Sequence, residues 1–413
     1  MEQACINPIE TLAACLISAG ATAELASFVQ ILIGVLLISA FPLVLVILLI
    51  WVERKVAARV QDRLGPNRVG PYGLLQNVAD AVKLILKEDI TPAGADRVIY
   101  NAAPIVAMLS VLLIWAVVPF SPAHIGADLS IGLLYFVAIS SIGTLAIMMA
   151  GWASNNKYAL LGAFRVVAQL VSYEVPMVVA LLVPVLLAGT LSMQALVRAQ
   201  IGMWFIVPCL VSAIIFYISN LAETGRAPFD LIEAESELVA GYNIEYSGMK
   251  FGLFMANEFM HAFTANLLFA VLFLGGWSGP GAEQYPLLGF VYLMLKTGVV
   301  YIFSLILRAT VPRVRIDHMM AFNWKFLVPV SIINLLIAAL LIQITRLFGI
   351  APAPGETDFV AHLPQALILL LGNLALIGGI IQALRSSGRR DRLAEQARSR
   401  ADETAIIPAG SGD

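Results

Sequence analysis

Charged side chains are scarce in this chain of 413 residues, and a soluble domain depends on them. Asp, Glu, Lys and Arg make up 13% of the residues, about half of the share that soluble proteins carry. Hydrophobic residues make up 60%, and the mean hydropathy is +0.88. Because so few polar side chains cannot cover a water-facing surface, the composition excludes two or three soluble domains. It predicts that the apolar excess faces lipid.

Residues that hold metals, clusters or nucleotides are equally few. The three cysteines are too few and too scattered for a disulfide framework, an iron–sulfur cluster or a zinc site. The four histidines lie far apart, and no phosphate-binding glycine motif or His-Glu-x-x-His motif occurs. We therefore expect that the chain alone neither oxidises a nicotinamide nor conducts electrons. The formal net charge of -2 implies no nucleic-acid partner, and the N-terminus lacks the basic flank of a cleaved signal peptide.

Long hydrophobic runs are what the chain has in excess. A membrane-spanning helix needs about 20 mostly apolar residues, and only helices or closed barrels satisfy their backbone groups in lipid. The runs are continuous rather than alternating, which predicts helices. The sequence thus predicts an all-α polytopic membrane helix bundle of about nine transmembrane helices. The predicted spans are 28–52, 100–120, 130–152, 165–189, 204–222, 255–276, 287–307, 326–346 and 363–384.

The basic residues are distributed unevenly between the connections. With nine spans, 22 Lys and Arg residues fall on one side of the membrane, two fall on the other, and Lys296 lies inside a span. Since basic loops stay in the cytoplasm, this distribution predicts an outside N-terminus and a cytoplasmic C-terminus. We divide the chain into a periplasmic segment (1–27), a transmembrane domain (28–384) and a cytoplasmic, partly disordered tail (385–413).

Two cytoplasmic connections, 53–99 and 223–254, are longer than turns. In the first, Leu74, Val78, Val82 and Ile85 recur at helical spacing between polar residues. This pattern predicts an amphipathic helix near 71–88 that lies in the membrane interface. The alternative is an ordinary loop helix that packs on a partner.

Two charged residues fall deep inside predicted spans, where an ionised group costs at least roughly 2.5–3.5 kcal/mol. They are Glu174 in the fourth span and Lys296 in the seventh. A carboxyl group at that depth is suited to carry a proton, because desolvation favours its neutral form. A structural ion pair inside the bundle is the alternative for both residues.

The second long connection opens with an acidic segment that contains one cation, Arg226. Its carboxylates alternate with apolar residues, which predicts partial burial, and clustered carboxylates hold shared protons. We interpret them as a proton relay that Glu258 extends toward the membrane, although a solvated acidic loop is the alternative. The acidic residues of the segment are Glu223, Asp230, Glu233, Glu235 and Glu237.

Four blocks of sequence carry a family resemblance. They are 53–76, which contains Gly65-Pro66-Asn67 and Gly70-Pro71-Tyr72-Gly73, then 151–175, 222–248 and 308–317. Together they resemble the H-subunit family of bacterial NADH–quinone oxidoreductase (respiratory complex I), whose mitochondrial counterpart is NADH dehydrogenase subunit 1. The resemblance covers about residues 28–346.

This resemblance implies a membrane subunit that forms most of a quinone tunnel and couples quinone reduction to proton translocation. The implied tunnel residues are Glu53, Arg54, Phe229, Phe254, Arg308, Arg313, Arg315 and Asp317. The residues that we expect to couple protons are Glu174, Glu223, Asp230, Glu233, Glu235, Glu237, Glu258 and Lys296.

The resemblance also implies where the other parts of the enzyme lie. Quinone is the substrate, and this chain binds no cofactor; NADH, FMN and iron–sulfur clusters belong to partner subunits. The expected partners are the soluble quinone-site subunits, neighbouring membrane-arm subunits and the lipid bilayer. The expected location is the bacterial cytoplasmic membrane, and the expected activity is that of a translocase subunit that is not catalytic alone.

Three alternatives stay open at this point. A homologous membrane subunit of an energy-converting hydrogenase or formate hydrogenlyase would share the fold without using quinone. A secondary transporter would use Glu174 and Lys296 at its midplane, but the chain shows no internal repeat. A purely structural anchor for a soluble arm would leave both charges without a purpose.

Overall fold

The computed structural model describes residues 22–230, 241–352 and 358–406, with side chains described up to residue 386. These residues form α-helices joined by short 3-10 and π turns, and within the described ranges the sole β-type pairing is a bridge between Pro119 and Ile125. The prediction of an all-α membrane bundle is confirmed. The helices are α1 (Ala23–Val60), α2 (Gln76–Leu86), α3 (Arg97–Ile114), α4 (Gly132–Ala153), α5 (Lys157–Ala188), α6 (Met193–Arg198), α7 (Leu210–Glu223), α8 (Gly248–Phe273), α9 (Pro286–Thr310), α10 (Ile316–Phe322), α11 (Val328–Leu347) and α12 (Phe359–Ile406).

Each of the nine predicted runs coincides with a helix of the described chain. Seven of them are long and apolar enough to cross a membrane: α1, α3, α4, α5, α9, α10 joined to α11, and the first part of α12. The eighth, α8, has 26 residues and is thus long enough to cross a membrane, but over its most apolar stretch it is more polar than these seven helices. The ninth, α7, has 14 residues and is about 21 Å long, so it covers only part of the roughly 30 Å hydrocarbon core.

The short α7 corrects the predicted span 204–222, which begins at Leu210 instead. The chain before it is irregular, and polar side chains from neighbouring elements satisfy its backbone. Gln200 Oε1 accepts from Gly275 N at 2.9 Å and from Phe205 N at 3.3 Å. Asn373 donates to Pro208 O at 2.8 Å and accepts from Val211 N at 3.3 Å. Irregular backbone is tolerated at membrane depth when protein surrounds it in this way.

Small residues let α3, α4 and α5 approach closely. A Cβ on Gly151 would lie 2.3 Å from the Cβ of Ala163, and one on Gly162 would lie 2.8 Å from Gly241 C. Alanines from all three helices fill a shared buried cluster around Tyr100 and Tyr246. Because lipid does not push helices together, such close packing is how membrane helices associate, and it fixes the position of α5 within the bundle.

The first and last helices of the bundle, α1 and α12, pack against it only in part. On α1, Ile31, Leu36 and Val44 are 66%, 59% and 68% exposed, as expected for a helix whose face contacts lipid. At the other end, α12 continues to Ile406 without a break, so the backbone of the predicted tail is helical up to that residue. The prediction that the tail is partly disordered, like the predicted membrane orientation, stays a prediction.

Candidate functional site

A buried cluster of opposite charges joins α1, α9 and the turn after α7. Glu53 Oε2 lies 3.0 Å from Arg226 Nη1, and Glu53 Oε1 accepts a hydrogen bond from Arg308. Tyr301 OH lies 3.4 Å from the same carboxylate. Arg226 is 1% exposed and its guanidinium lies over the rings of Phe259 and Tyr301, at 5.8 and 5.4 Å. Pairing and stacking make the burial of these charges tolerable.

The turn that carries Arg226 is held from α5. Gln169 Nε2 donates to Ala222 O at 2.7 Å and to Phe229 O at 2.9 Å, so one buried amide joins both ends of the turn. Gly225 has a φ of +59°, a value that glycine adopts without strain. Burial lowers the pKa of Arg226, but Glu53, Tyr301 and Glu258 together more than offset this and leave the pKa raised. Arg226 is therefore a permanent cation inside the protein.

A cavity of about 540 Å³ lies against this cluster. Glu53, Arg54 and Arg308 line it, together with apolar residues of α1 and α9 and the turn at Gly65-Pro66. The volume falls in the roughly 300–1,000 Å³ range of ligand sites. The remaining lining residues are Ala57, Ala58, Gln61, Arg63, Leu64, Leu305 and Ala309.

The glycine- and proline-rich block 65–73 folds back on itself beside this cavity. A Cβ on Gly65 would meet Arg54 O at 3.2 Å, and one on Gly73 would meet Pro66 O at 2.2 Å. Gly73 also has a φ of +77°, so two separate constraints require glycine at this position. The block therefore brings the start of α2 close to the end of α1.

The amphipathic helix α2 confirms the helix predicted near 71–88. It is fixed to α1 by Asn77 Nδ2, which donates to Ile47 O at 2.6 Å, and by an ion pair of 2.7 Å between Arg54 and Asp80. Burial raises the pKa of Asp80, but the hydrogen bond and charge of Arg54, with a smaller contribution from Lys83, leave it below its ordinary value. The apolar face of α2 is exposed at Val82 and Ile85, at 49% and 64%.

A second polar group lies where α4, α5, α7 and α8 meet. Glu223, Glu258 and His261 line a small cavity of about 50 Å³, and His261 Nε2 lies 3.9 Å from Glu223 Oε1. Beside them, the hydroxyl of Ser141 donates to the carboxylate of Glu174. The other lining residues are Ser140, Gly143, Thr144, Ile147, Leu170, Thr224, Tyr242 and Asn257.

The two polar groups are electrostatically connected through Arg226. Its charge is influenced by Glu53 on one side and by Glu258 on the other, and the charge of Glu174 acts on Glu223. Arg226 lies less than one helical turn after Glu223 in sequence. Arg226 therefore interacts with a carboxylate of each cavity, Glu53 at the large one and Glu258 at the small one.

Some predicted tunnel residues lie away from the large cavity. Phe229 packs on Tyr173 with ring centroids 5.4 Å apart, and Phe254 is enclosed by the rings of Tyr242 and Tyr246 at 5.3 and 5.0 Å. After α9, Arg315 and Asp317 form an exposed pair of 3.8 Å, with Arg313 in the same surface segment. Of the eight predicted tunnel residues, the cavity brings Glu53, Arg54 and Arg308 together.

Some of the predicted proton-coupling residues lie near one another, and others lie elsewhere. Glu223 and Glu258 line one cavity, and the charge of Glu174 acts on Glu223. Asp230 follows the turn of Arg226 and is partly buried. The predictions for Glu233, Glu235 and Glu237 lie outside the described residues.

Lys296 lies apart from these carboxylates. Its Nζ donates to the carbonyls of Leu274, Gly276 and Ser278 at 2.7, 3.0 and 2.8 Å, and it lies over the ring of Trp204 at 4.6 Å. This loop follows the far end of α8, about 20 Å along the helix axis from His261 at 1.5 Å per residue. The proton role of Lys296 stays a prediction.

Comparison with known proteins now decides the family. The family model for NADH dehydrogenase matches residues 33–339, which cover the large cavity, the small cavity and the elements that form them. The chain belongs to the NADH dehydrogenase family.

Several curated relatives in this family carry the name of the H subunit of NADH-quinone oxidoreductase. The relative in Dehalococcoides mccartyi (strain CBDB1) is 44% identical over 85% of this chain and 97% of its own length. The relative in Brevibacillus brevis is 46% identical over 76% of this chain and 93% of its own. The relative in Paramagnetospirillum magneticum is 46% identical over 79% and 96%. The chain is accordingly a membrane subunit of an oxidoreductase complex, complex I, and the translocase class fits it.

The last helix lies outside the matched family region. The family match ends at residue 339, inside α11, so α12 lies beyond it. The polar contacts of Asn373 with Pro208 and Val211 nevertheless make α12 part of the same bundle.

Three residues of the site were not singled out as site residues by the sequence. Arg226 is the one cation of an acidic segment that the sequence predicts to be partly buried, but the spacing does not predict that its guanidinium is almost fully enclosed. The one sequence signal for His261 and Ser141 is that each is a polar residue in a largely apolar helix. That signal would have been enough to single out both. His261 follows Glu258 by three positions, which places the two on one helix face.

Proposed function

We propose that this chain forms the membrane part of the quinone-access route of NADH–quinone oxidoreductase and couples quinone reduction to proton translocation through its buried carboxylates. One observation carries the proposal. Glu53 and Arg308 line the large cavity, and Glu53 pairs with Arg226. Arg226 also interacts electrostatically with Glu258, a carboxylate that lines the small cavity.

The lining of the large cavity suits an isoprenoid quinone. Ala57, Ala58 and Leu305 offer apolar contact for the isoprenoid chain, whereas Arg54 and Arg308 offer hydrogen-bond donors for carbonyl oxygens. Reduction of one quinone to quinol takes up two electrons and two protons. The electrons come from partner chains, which carry NADH, FMN and the iron–sulfur clusters in this proposal, and the protons come from the cytoplasmic side.

Coupling follows from charge rather than from electron transfer in this chain. The two electrons add negative charge to the quinone near the Glu53 cluster, and Arg226 responds to that charge as well as to Glu258. A change there acts in turn on the nearby carboxylates Glu258, Glu223 and Glu174 through charge interactions. The acidic segment that contains Asp230 supplies protons to the set, and neighbouring membrane subunits receive them or the charge signal.

The proposal also places the chain in its complex. The soluble quinone-site subunits meet the cytoplasmic connections, the other membrane-arm subunits lie beside Glu174, and the chain crosses the bacterial cytoplasmic membrane with its N-terminus outside. The long connection with α2 lies at the interface near the mouth of the route, which fits its exposed apolar face.

A bulky side chain in the large cavity tests the quinone route. Ala57→Phe on α1 fills the space between α1 and α9, whereas the matched control Val44→Phe changes a side chain that is 68% exposed on the same helix. In the whole complex, Ala57→Phe should raise the KM for long-chain quinone by about tenfold, which is about 1.4 kcal/mol. The control should leave it unchanged. Equal KM values in both variants would contradict the proposal.

A further inference from the structure

We propose that His261 and Glu223 form a single proton-holding pair that stands between Arg226 and Glu174. This inference rests on the function proposed above, and it names the group that hands protons to Glu174. It assigns a proton-binding role to a histidine side chain in the carboxylate route.

The geometry of the pair allows it to exchange a proton. His261 Nε2 lies 3.9 Å from Glu223 Oε1, which exceeds a hydrogen bond by less than about 1 Å. A small rotation of either side chain therefore brings the two atoms into contact. Both residues line the 50 Å³ cavity, which is large enough for a water molecule to bridge them.

The surroundings of His261 are polar in a helix that is mostly apolar. Asn257, Glu258, His261 and Thr264 follow one another at spacings of one, three and three positions, so they form a stripe along one face of α8. The amide oxygen of Asn257 is buried and has no hydrogen-bond partner among the described residues. A packing role for His261 would not require this stripe, since a core helix in lipid is stable with apolar residues throughout.

Charged and titratable groups face the pair from every helix around it. From α8 comes Glu258, one turn before His261, and from α5 comes Glu174, whose charge acts on Glu223. The turn after α7 contributes Arg226, and the segment before α8 contributes the phenol of Tyr242, which lines the cavity. From α4 come the hydroxyls of Ser140 and Thr144, which line the cavity, and that of Ser141, which bonds Glu174. The pair thus connects the cation that senses the quinone cavity with the carboxylate deepest in α5.

The pair can hold one proton in two arrangements of equal net charge. Either the imidazole carries it on Nε2 beside an ionised carboxylate, or the ring is neutral and Glu223 carries it on Oε1. Because both arrangements are neutral overall, neither requires an isolated charge in a buried site. When Glu223 passes its proton to an ionised Glu174, an O–H bond breaks on one carboxyl and forms on the other. The pair is left with one negative charge, and a proton from the cytoplasmic acidic segment restores it.

A double-mutant cycle in the whole complex tests the pair. The variants are His261→Asn, Glu223→Gln and the double variant, and the measured quantity is the number of protons moved per NADH oxidised in sealed vesicles. A relay step that loses its titrating group slows by roughly 100-fold or more. His261→Asn should therefore lose about half or more of the protons per NADH, and the double variant should lose no more than Glu223→Gln alone. Strictly additive losses, or full proton transfer in His261→Asn, would overturn the proposal.

The pH profile separates a proton role from a structural one. In the unchanged complex the protons moved per NADH should depend on pH, and His261→Asn should flatten this dependence. His124→Asn is the matched control, since His124 is hydrogen-bonded to Ser121 at 2.8 Å in a turn outside the route. A profile in His261→Asn that follows the control would overturn the proposal.

Two further outcomes keep the inference distinct from the proposed function. If Glu174→Gln lowers the protons per NADH but His261→Asn does not, the pair is wrong and the wider route stands. If neither has an effect, the proposed function itself fails. If both His261→Asn and His261→Gln prevent assembly of the complex, His261 has a structural role and the pair is likewise overturned.

Discussion

Arg226 Nη1 lies 3.0 Å from Glu53 Oε2, and this contact joins the turn after α7 to the C-terminal half of α1. Both side chains are largely buried, at 1% and 14% exposure. Two consequences follow. The pair fixes one wall of the large cavity, and it places a permanent cation between that cavity and the carboxylates around Glu223.

The shared carboxylate of this cluster predicts unequal effects of two substitutions. Glu53→Gln leaves two cations, Arg226 and Arg308, without their common partner, and breaking a buried ion pair costs about 3–5 kcal/mol. Arg308→Gln should cost less, because Glu53 keeps its contact with Arg226. Thermal unfolding midpoints of the purified complex measure the difference. Equal midpoints for the two variants would show that the cluster does not hold the cavity wall.

The contact between α2 and α1 should depend on pH in a defined direction. The pKa of Asp80 is lowered in the folded state, so its pairing with Arg54 stabilises the protein above the ordinary carboxyl pKa of about 3.9. That contribution is lost as the pH falls through the lowered pKa. The stability difference between the unchanged chain and Asp80→Asn should thus be constant near neutral pH and vanish in strong acid. The control is Glu88→Gln, an exposed carboxylate beyond α2, which should show no such difference at any pH.

Asn373 of α12 should be needed for the irregular segment before α7. Asn373→Leu keeps the side-chain size but removes the bonds to Pro208 O and Val211 N, and each unsatisfied buried group costs about 1–3 kcal/mol. The complex should therefore unfold at a lower temperature. Leu371→Ala changes a side chain on the same helix that is 65% exposed, and it should have little effect. A loss confined to Leu371→Ala would place the importance of α12 on its lipid-facing side.

Two substitutions of Lys296 distinguish a structural role from a role in proton coupling. If its main contribution is to bond three carbonyls after α8, Lys296→Met should reduce assembly, since a hydrogen bond to a charged group contributes about 1.5–3 kcal/mol. Lys296→Arg, which keeps a charged donor, should then assemble better than Lys296→Met. Normal assembly of Lys296→Met with fewer protons moved per NADH would instead support the predicted role in proton coupling.

The helices could be predicted because each hydrophobic run is long and continuous. The start of α7 could not, since Pro208 lies inside an apolar run and the irregular backbone is satisfied partly by Asn373, which comes from the distant helix α12. Sequence spacing shows which residues share a helix face, but it does not show which faces meet across a bundle.

Because sequence spacing does not show which helix faces meet, it could predict only part of the site. Glu53, Arg54 and Arg308 were assigned to one site on family resemblance, and the structure brings them to one cavity. Phe254 was assigned on the same basis, and its ring packs between Tyr242 and Tyr246, so its place in the tunnel stays a prediction. The meeting of His261 with Glu223 depends on how α7 crosses α8, which no local pattern specifies.

The most direct test of coupling is the number of protons moved per NADH oxidised by complexes that contain Glu174→Gln. Glutamine keeps the hydrogen bond to Ser141 possible but cannot carry a proton between its ionised and neutral forms, whereas Glu283→Gln changes an exposed carboxylate outside the route. We predict that Glu174→Gln assembles and moves fewer protons per NADH, and that Glu283→Gln moves the full number. Full proton transfer in an assembled Glu174→Gln complex would contradict the account.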